Sequence, residues 1–157
     1  MNKTSIYLAG AINGLSYKEA TIWRKLVYFA LDKDKYQILD PMRGKEFLNV
    51  GQELINDSLL TKEVFERDVN DIDDSDIVLV NLAHLSDLKM IGSLWELGYS
   101  FRSEKMIVGF YCPNEYKNHP FIKNSINLFE KLGESLDYIE DLTNYRNKVF
   151  RNFELCN

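Results

Sequence analysis

Apolar residues along this chain follow two alternating rhythms. Short β-rich runs (TSIYLAG at 4–10, YQILDP at 36–41, DIVLVNL at 76–82, KMIVGFY at 105–111) alternate with stretches in which apolar positions recur every three or four residues. The first rhythm predicts strands and the second helices packed on them. DIVLVNL is almost continuously apolar, as a parallel strand covered on both faces requires. Ser16 stands three residues before Glu19 in SYKE, a capping-box pattern that starts a helix whose Ala20, Trp23, Val27 and Ala30 face the sheet. A second helix is expected from about Thr61 to near Asp73, with Val64, Phe65, Val69 and Ile72 as its apolar side. In KMIGSLWELGYSF, Gly92-Ser93 reads as a turn into a third helix carrying Leu94, Leu97 and Phe101 on one face. A short helical segment after Pro120, a fifth strand around INLFE and a terminal helix from Ser135 complete the pattern. Residues 42–60 read as a long loop with a helical turn, and loops of that length are often functional.

Alternation of this kind predicts an α/β fold: a single Rossmann- or flavodoxin-like domain over residues 1–157, with an open five-stranded parallel sheet and helices on both faces. Ligands of such sheets bind outside the carboxyl ends of the strands, at the topological switch point. That rule selects Gly10 to Gly14, Asp40 to Gly44, Asn81 to His84 and Tyr111 to Asn114.

Composition narrows the function classes. A formal net charge of −5 gives no basic footprint for DNA or RNA, so a polymeric nucleic acid is not an expected partner, although a small anion is compatible. The two cysteines, Cys112 and Cys156, lack CxxC spacing, and with only His84 and His119 they make a poor inventory for a metal site; none is expected. Reduced thiols fit a cytoplasmic location. The run IYLAGAI is too short, and too soon broken by Gly10, for a signal peptide or a membrane span.

Four residues from different elements could converge on one crevice: Tyr7, Asp68, Asn81 and Glu96. Each has a plainer reading. Asp68 falls on the apolar side of its helix, where an ionised acid is costly unless partnered; Arg67 or Lys62 would keep it solvated at the rim. Glu96, placed in a first helical turn, would gain about 0.3–1 kcal/mol from the helix dipole without any function. The same field favours the ionised form that a carboxylate nucleophile needs. Tyr7 is either half-buried packing or a hydroxyl reaching the crevice. AGAING is a weak phosphate-loop signal, and Arg43 in DPMRGK is an anion contact or an ordinary loop arginine.

Taken together, IYLAGAINGLSYKEATIWRKLV, DPMRGK, RDVNDIDDSDIVLVNL and GSLWELGYS resemble the nucleoside 2-deoxyribosyltransferase family, nearest to its short phage-type and bacterial branch, which is related to the deoxynucleoside 5′-monophosphate N-glycosidases. The resemblance implies that Glu96, in the G-(S/T)-x-x-E-(I/L)-G segment, is the nucleophile. It implies that Asp68 handles the departing base and its proton, and that Tyr7 positions the nucleophile. Gly10, Asn13, Arg43, Asn81, Gly92, Ser93 and Asn124 become the candidate substrate contacts. Asn124, or Asn127, is the loose counterpart of an asparagine that a neighbouring subunit supplies in several members. The implied reaction cleaves or exchanges the N-glycosidic bond of 2′-deoxyribonucleosides or their 5′-monophosphates through a covalent glycosyl-glutamate, without metal or organic cofactor. The implied partners are a small nucleoside or nucleotide, a free nucleobase and further copies of the chain. One position departs: six residues before the nucleophile the family carries Asp or Ser, and here stands Met90. That departure supports the alternative of a non-catalytic nucleotide-binding or sensing module. A flavodoxin-like regulator or redox protein ranks below both, because no flavin loop or phosphoacceptor arrangement is present.

Overall fold

The computed structural model describes residues 3–45, 58–87 and 90–154. The expected long loop therefore falls largely outside the described residues, which resume with the second helix at Ser58. The elements run β1 (Thr4–Gly10), α1 (Tyr17–Ala30), β2 (Tyr36–Leu39), α2 (Ser58–Asp74), β3 (Ile77–Asn81), α3 (Ile91–Arg102), β4 (Met106–Phe110), α4 (Pro120–Ser125), β5 (Asn127–Phe129) and α5 (Leu132–Glu154), with a 3₁₀ turn at Leu85–Asp87. The five strands form one parallel sheet in the order β2-β1-β3-β4-β5. The α/β architecture is the one the alternation predicts.

Side-chain alternation sorts the core into two layers. Ile6 and Leu8 of β1, with Ile77 and Leu79 of β3, pack against Trp23 and Val27 of α1 and Ile139 of α5. Tyr7 and Ala9, with Val78 and Val80, meet Ile72 of α2, Leu97 of α3 and Ile122 of α4. Both faces are covered, so the central strands are apolar throughout. The chain leaves β1 towards β2 on one side and returns to β3 on the other. The crevice between β1 and β3 is thus the switch point, and there Gly10 pairs with Asn81.

The capping box of α1 forms: the Glu19 N–H donates to Ser16 Oγ at 3.3 Å, and the Ser16 N–H to Glu19 Oε2 at 2.8 Å. Ala30, expected to face the sheet, is exposed; the helix ends there, and Leu31, in extended backbone, is the residue that turns inward. Helix α2 begins three residues before Thr61 and α5 three before Ser135. In α5 the Glu134 carboxylate accepts the N–H groups of Glu130 and Lys131, an earlier cap than the apolar spacing suggested. Phe65 is half-exposed and packs edge-on against Trp95 instead of the sheet. Leu97 is buried, whereas Leu94 and Phe101 line an open apolar groove shared with α4. Among the described residues, no helix is long and apolar enough to cross a membrane.

Candidate active site

Strand β1 delivers Tyr7 to the face shared with α2 and α3, where its hydroxyl donates a 2.7 Å hydrogen bond to Glu96 Oε1. Tyr7 is fully buried. Burial, and after it the nearby Glu96 and Asp68 charges, push its phenol well above the usual range, so it remains a donor.

Glu96 is not in the first turn of its helix. The Leu94 N–H bonds to the Met90 carbonyl, so the helix is already under way at Gly92 and Ser93, and Glu96 is its sixth residue. The dipole argument loses force at that depth. Burial dominates instead and raises the carboxyl to about 7; the Tyr7 hydrogen bond opposes it, the Asp68 charge adds to it, and the Arg24 and Lys45 charges oppose it.

Asp68, on α2, is held by two cations. Its Oδ1 accepts from Arg67 Nη2 at 2.9 Å and Nε at 3.1 Å, and its Oδ2 lies 3.6 Å from Lys45 Nζ. Lys62 is engaged elsewhere, with Glu66. Arg67 also donates to the carbonyls of Pro41 and Arg43, at 3.0 Å each, and so ties the segment after β2 to α2. Arg43 bonds Asp71 Oδ1 at 2.7 Å and the Asp40 carbonyl at 3.1 Å, leaving its half-exposed guanidinium already engaged.

Beneath this layer lies Arg24 of α1, 1% exposed, with its guanidinium 4.5 Å from the Trp23 ring. It pairs with Asp40 at 3.3 Å and donates to the carbonyls of Ala20 and, at 3.2 Å, Gly10. Burial lowers its basicity and Asp40 restores part of it. Asp40, Asp68 and Asp71 thus each have a basic side chain within ion-pair distance, while Glu96 is met by a neutral phenol. Burial raises the Asp40 carboxyl as well, opposed by the Met42 N–H and by Arg24, whereas the first opposition that Glu96 meets is the Tyr7 hydroxyl.

The remaining candidates divide. Gly10 lies at the switch point, where an added Cβ would stand 3.1 Å from Trp23 and 3.3 Å from Asn81 Cβ. Asn81 ends β3, its Oδ1 accepting the Ala83 N–H at 3.0 Å. Asn13 is exposed in the turn after β1; Gly92 is exposed and Ser93 buried in the first turn of α3. Asn124 is on α4, donating to the Pro120 carbonyl at 2.8 Å, and lines the apolar groove rather than joining Tyr7 and Glu96. Asn127 donates to the Ile107 carbonyl, which occupies it in the sheet edge. Met90 is 1% exposed in the apolar cluster that contains Tyr7 and Leu97.

Sequence reasoning missed Lys45, Arg24 and Asp71. Lys45 stands two residues after Arg43 in DPMRGK, and Arg24 shares the buried stripe of α1, four after Ala20 and three before Val27. A cation inside an apolar stripe is a signal that a buried acid lies opposite.

Comparison with known proteins gives three findings. The family model described as nucleoside 2-deoxyribosyltransferase like matches residues 3–116. No curated protein matches. Solved structures with the same fold include a 2-deoxyribosyltransferase from Bacillus psychrosaccharolyticus, at 20% identity over 83% of this chain and 89% of that one, with a TM-score of 0.61. A conserved protein from Enterococcus faecalis V583 has 16% identity over 92% and 99% of the two chains and a TM-score of 0.61. A 2-deoxyribosyltransferase from Leishmania mexicana has 16% identity over 68% and 63%, with a TM-score of 0.50.

Proposed function

Since the chain belongs to the nucleoside 2-deoxyribosyltransferase-like family, we propose that it cleaves or exchanges the N-glycosidic bond of 2′-deoxyribonucleosides or their 5′-monophosphates, with Glu96 as nucleophile. The observation that carries this reading is the Tyr7–Glu96 hydrogen bond on the face shared with Asp68. A buried carboxyl near 7 is deprotonated in a substantial fraction at neutral pH, and the phenol fixes one oxygen so that the other is free to attack. Glu96 attacks C1′ as the base departs through an oxocarbenium-like transition state, giving a covalent deoxyribosyl-glutamate. Asp68 stands beside the base and mediates its protonation. Water or a second base then releases the sugar.

Gly10, Asn13, Arg43, Asn81, Gly92 and Ser93 are the substrate contacts in this proposal; Gly10 and Asn81 end strands, Asn13 and Arg43 lie in the turns after β1 and β2, and Gly92 and Ser93 in the first turn of α3, which supports it. Assembly into a homo-oligomer belongs to it as well, because Asn124 stands at an open groove of its own chain, where a neighbouring copy would meet it. The Met90 departure is accounted for by packing: the side chain fills the core rather than the crevice.

The test is base release, followed by chromatography, from deoxynucleosides and their monophosphates with and without free adenine. Release that Glu96→Ala abolishes supports the reading, and adenine-dependent new nucleosides mark transfer over hydrolysis. Ligand binding without turnover would support the binding-module alternative instead.

A further inference from the structure

One buried cation of the crevice has no task in the reaction just described. The Lys45 side chain is 5% exposed, and its ammonium lies 3.6 Å from Asp68 Oδ2. The opposite oxygen of Asp68 takes two bonds from Arg67. Both oxygens of Asp68 therefore face a cation, Arg67 at Oδ1 and Lys45 at Oδ2. Of its two cations, a guanidinium does not release a proton, whereas a buried ammonium does so readily. Burial lowers the Lys45 ammonium below its ordinary value; Asp68 opposes that, Arg67 adds to it, and Glu96 of α3 opposes it again.

Resting on the glycosidic reading above, we infer that Lys45 is the source of the proton taken up by the departing base, and that Asp68 passes it on. As Glu96 forms its bond to C1′, the C1′–N bond breaks and its electron pair stays on the base nitrogen. That nitrogen takes a proton from Asp68, and Asp68 takes one from the Lys45 ammonium, leaving a neutral amine. When water or a second base attacks C1′, Glu96 leaves as carboxylate, and the proton shed by the attacking group returns through Asp68 to Lys45. Lys45 acts through Asp68 in this scheme and does not touch the sugar.

The experiment compares two leaving groups in the full-length protein and in Lys45→Met and Lys45→Arg. Base release from the preferred deoxynucleoside or monophosphate requires a proton; release of 4-nitrophenolate from 4-nitrophenyl 2-deoxyriboside does not. Both variants are expected to lose roughly 100-fold in kcat with the natural substrate and less than about threefold with the aryl deoxyriboside. Recovery of natural activity in Lys45→Arg would reduce Lys45 to a charge that holds Asp68, and would overturn the inference. Equal losses on the two substrates, or no loss on either, would overturn it too; melting curves of each variant accompany the rates. If the unmutated protein releases neither base nor nitrophenolate, the glycosidic reading itself has failed and this inference falls with it.

Discussion

The hydroxyl of Tyr7 donates a 2.7 Å hydrogen bond to Glu96 Oε1, joining residues 89 positions apart in sequence. The bond favours the carboxylate, while burial, the larger effect, and the charge of Asp68 disfavour it; the balance places Glu96 at about 7. For a nucleophile that acts as carboxylate, kcat/KM for base release rises with pH through an inflection near that value.

Tyr7→Phe removes the one effect that this pair adds in favour of ionisation. The inflection is expected to move up by about one pH unit, the scale of a hydrogen bond to a charged group. A pH–rate series across neutrality reads the shift; an inflection left in place would separate Tyr7 from the ionisation of Glu96.

Stability carries the same signature with a definite sign. The folded carboxyl is raised to about 7 from an ordinary 4.5, so the folded state binds the proton more tightly than the unfolded chain. Stability is then greatest below about 4.5, falls as pH rises through that window, and levels off above 7. Glu96→Gln keeps an acceptor for Tyr7 and removes the titration. Its melting temperature should gain on the parent between acidic and alkaline buffer, by the equivalent of about 1–3 kcal/mol. A difference that does not change with pH would contradict the burial assigned to Glu96.

Arg67 and Lys62 separate two accounts of Asp68. Arg67 bonds Asp68 and the carbonyls of Pro41 and Arg43, whereas Lys62 pairs with Glu66 on an exposed face. Urea unfolding should show Arg67→Ala losing about 1–3 kcal/mol. Lys62→Ala should lose less than about 1 kcal/mol. Comparable losses from the two would mean that the segment after β2 is held by something other than Arg67.

Met90 gives a packing prediction. A side chain 1% exposed beside Tyr7 and Leu97 should cost about 2–5 kcal/mol on truncation to Ala. Met90→Leu, which conserves volume, should cost less than about 1.5 kcal/mol. Denaturation curves that place Met90→Ala level with the parent, together with altered substrate choice, would move Met90 from the core into the pocket.

The fold was readable because its two signals are local. Continuous apolar runs mark strands covered on both faces, and SYKE carries its own cap. Where the reading slipped, tertiary partners decided. Phe65 follows helical spacing yet meets Trp95, and Leu94 and Phe101 stay on the rim of a groove. The candidate site was legible in part. The resemblance picked out Tyr7, Asp68 and Glu96 before any geometry, but the surroundings of Glu96 were misjudged, because Gly92-Ser93 looked like a turn and lies within the helix. The Arg67–Asp68 pair was open to the sequence, but periodicity cannot show that Arg24 meets Asp40, that Lys45 meets Asp68, or that Tyr7 meets Glu96. Those pairings join elements distant in sequence.

The central claim is a covalent bond from Glu96 to the sugar. Intact-mass spectrometry of the protein after brief incubation with a 2′-deoxynucleoside or its monophosphate, quenched in acid, tests it most directly. The account predicts a mass increase of one deoxyribosyl group, mapped by peptide analysis to Glu96 and missing from Glu96→Gln. Base release that persists in Glu96→Gln, with no adduct on the parent protein, would contradict it.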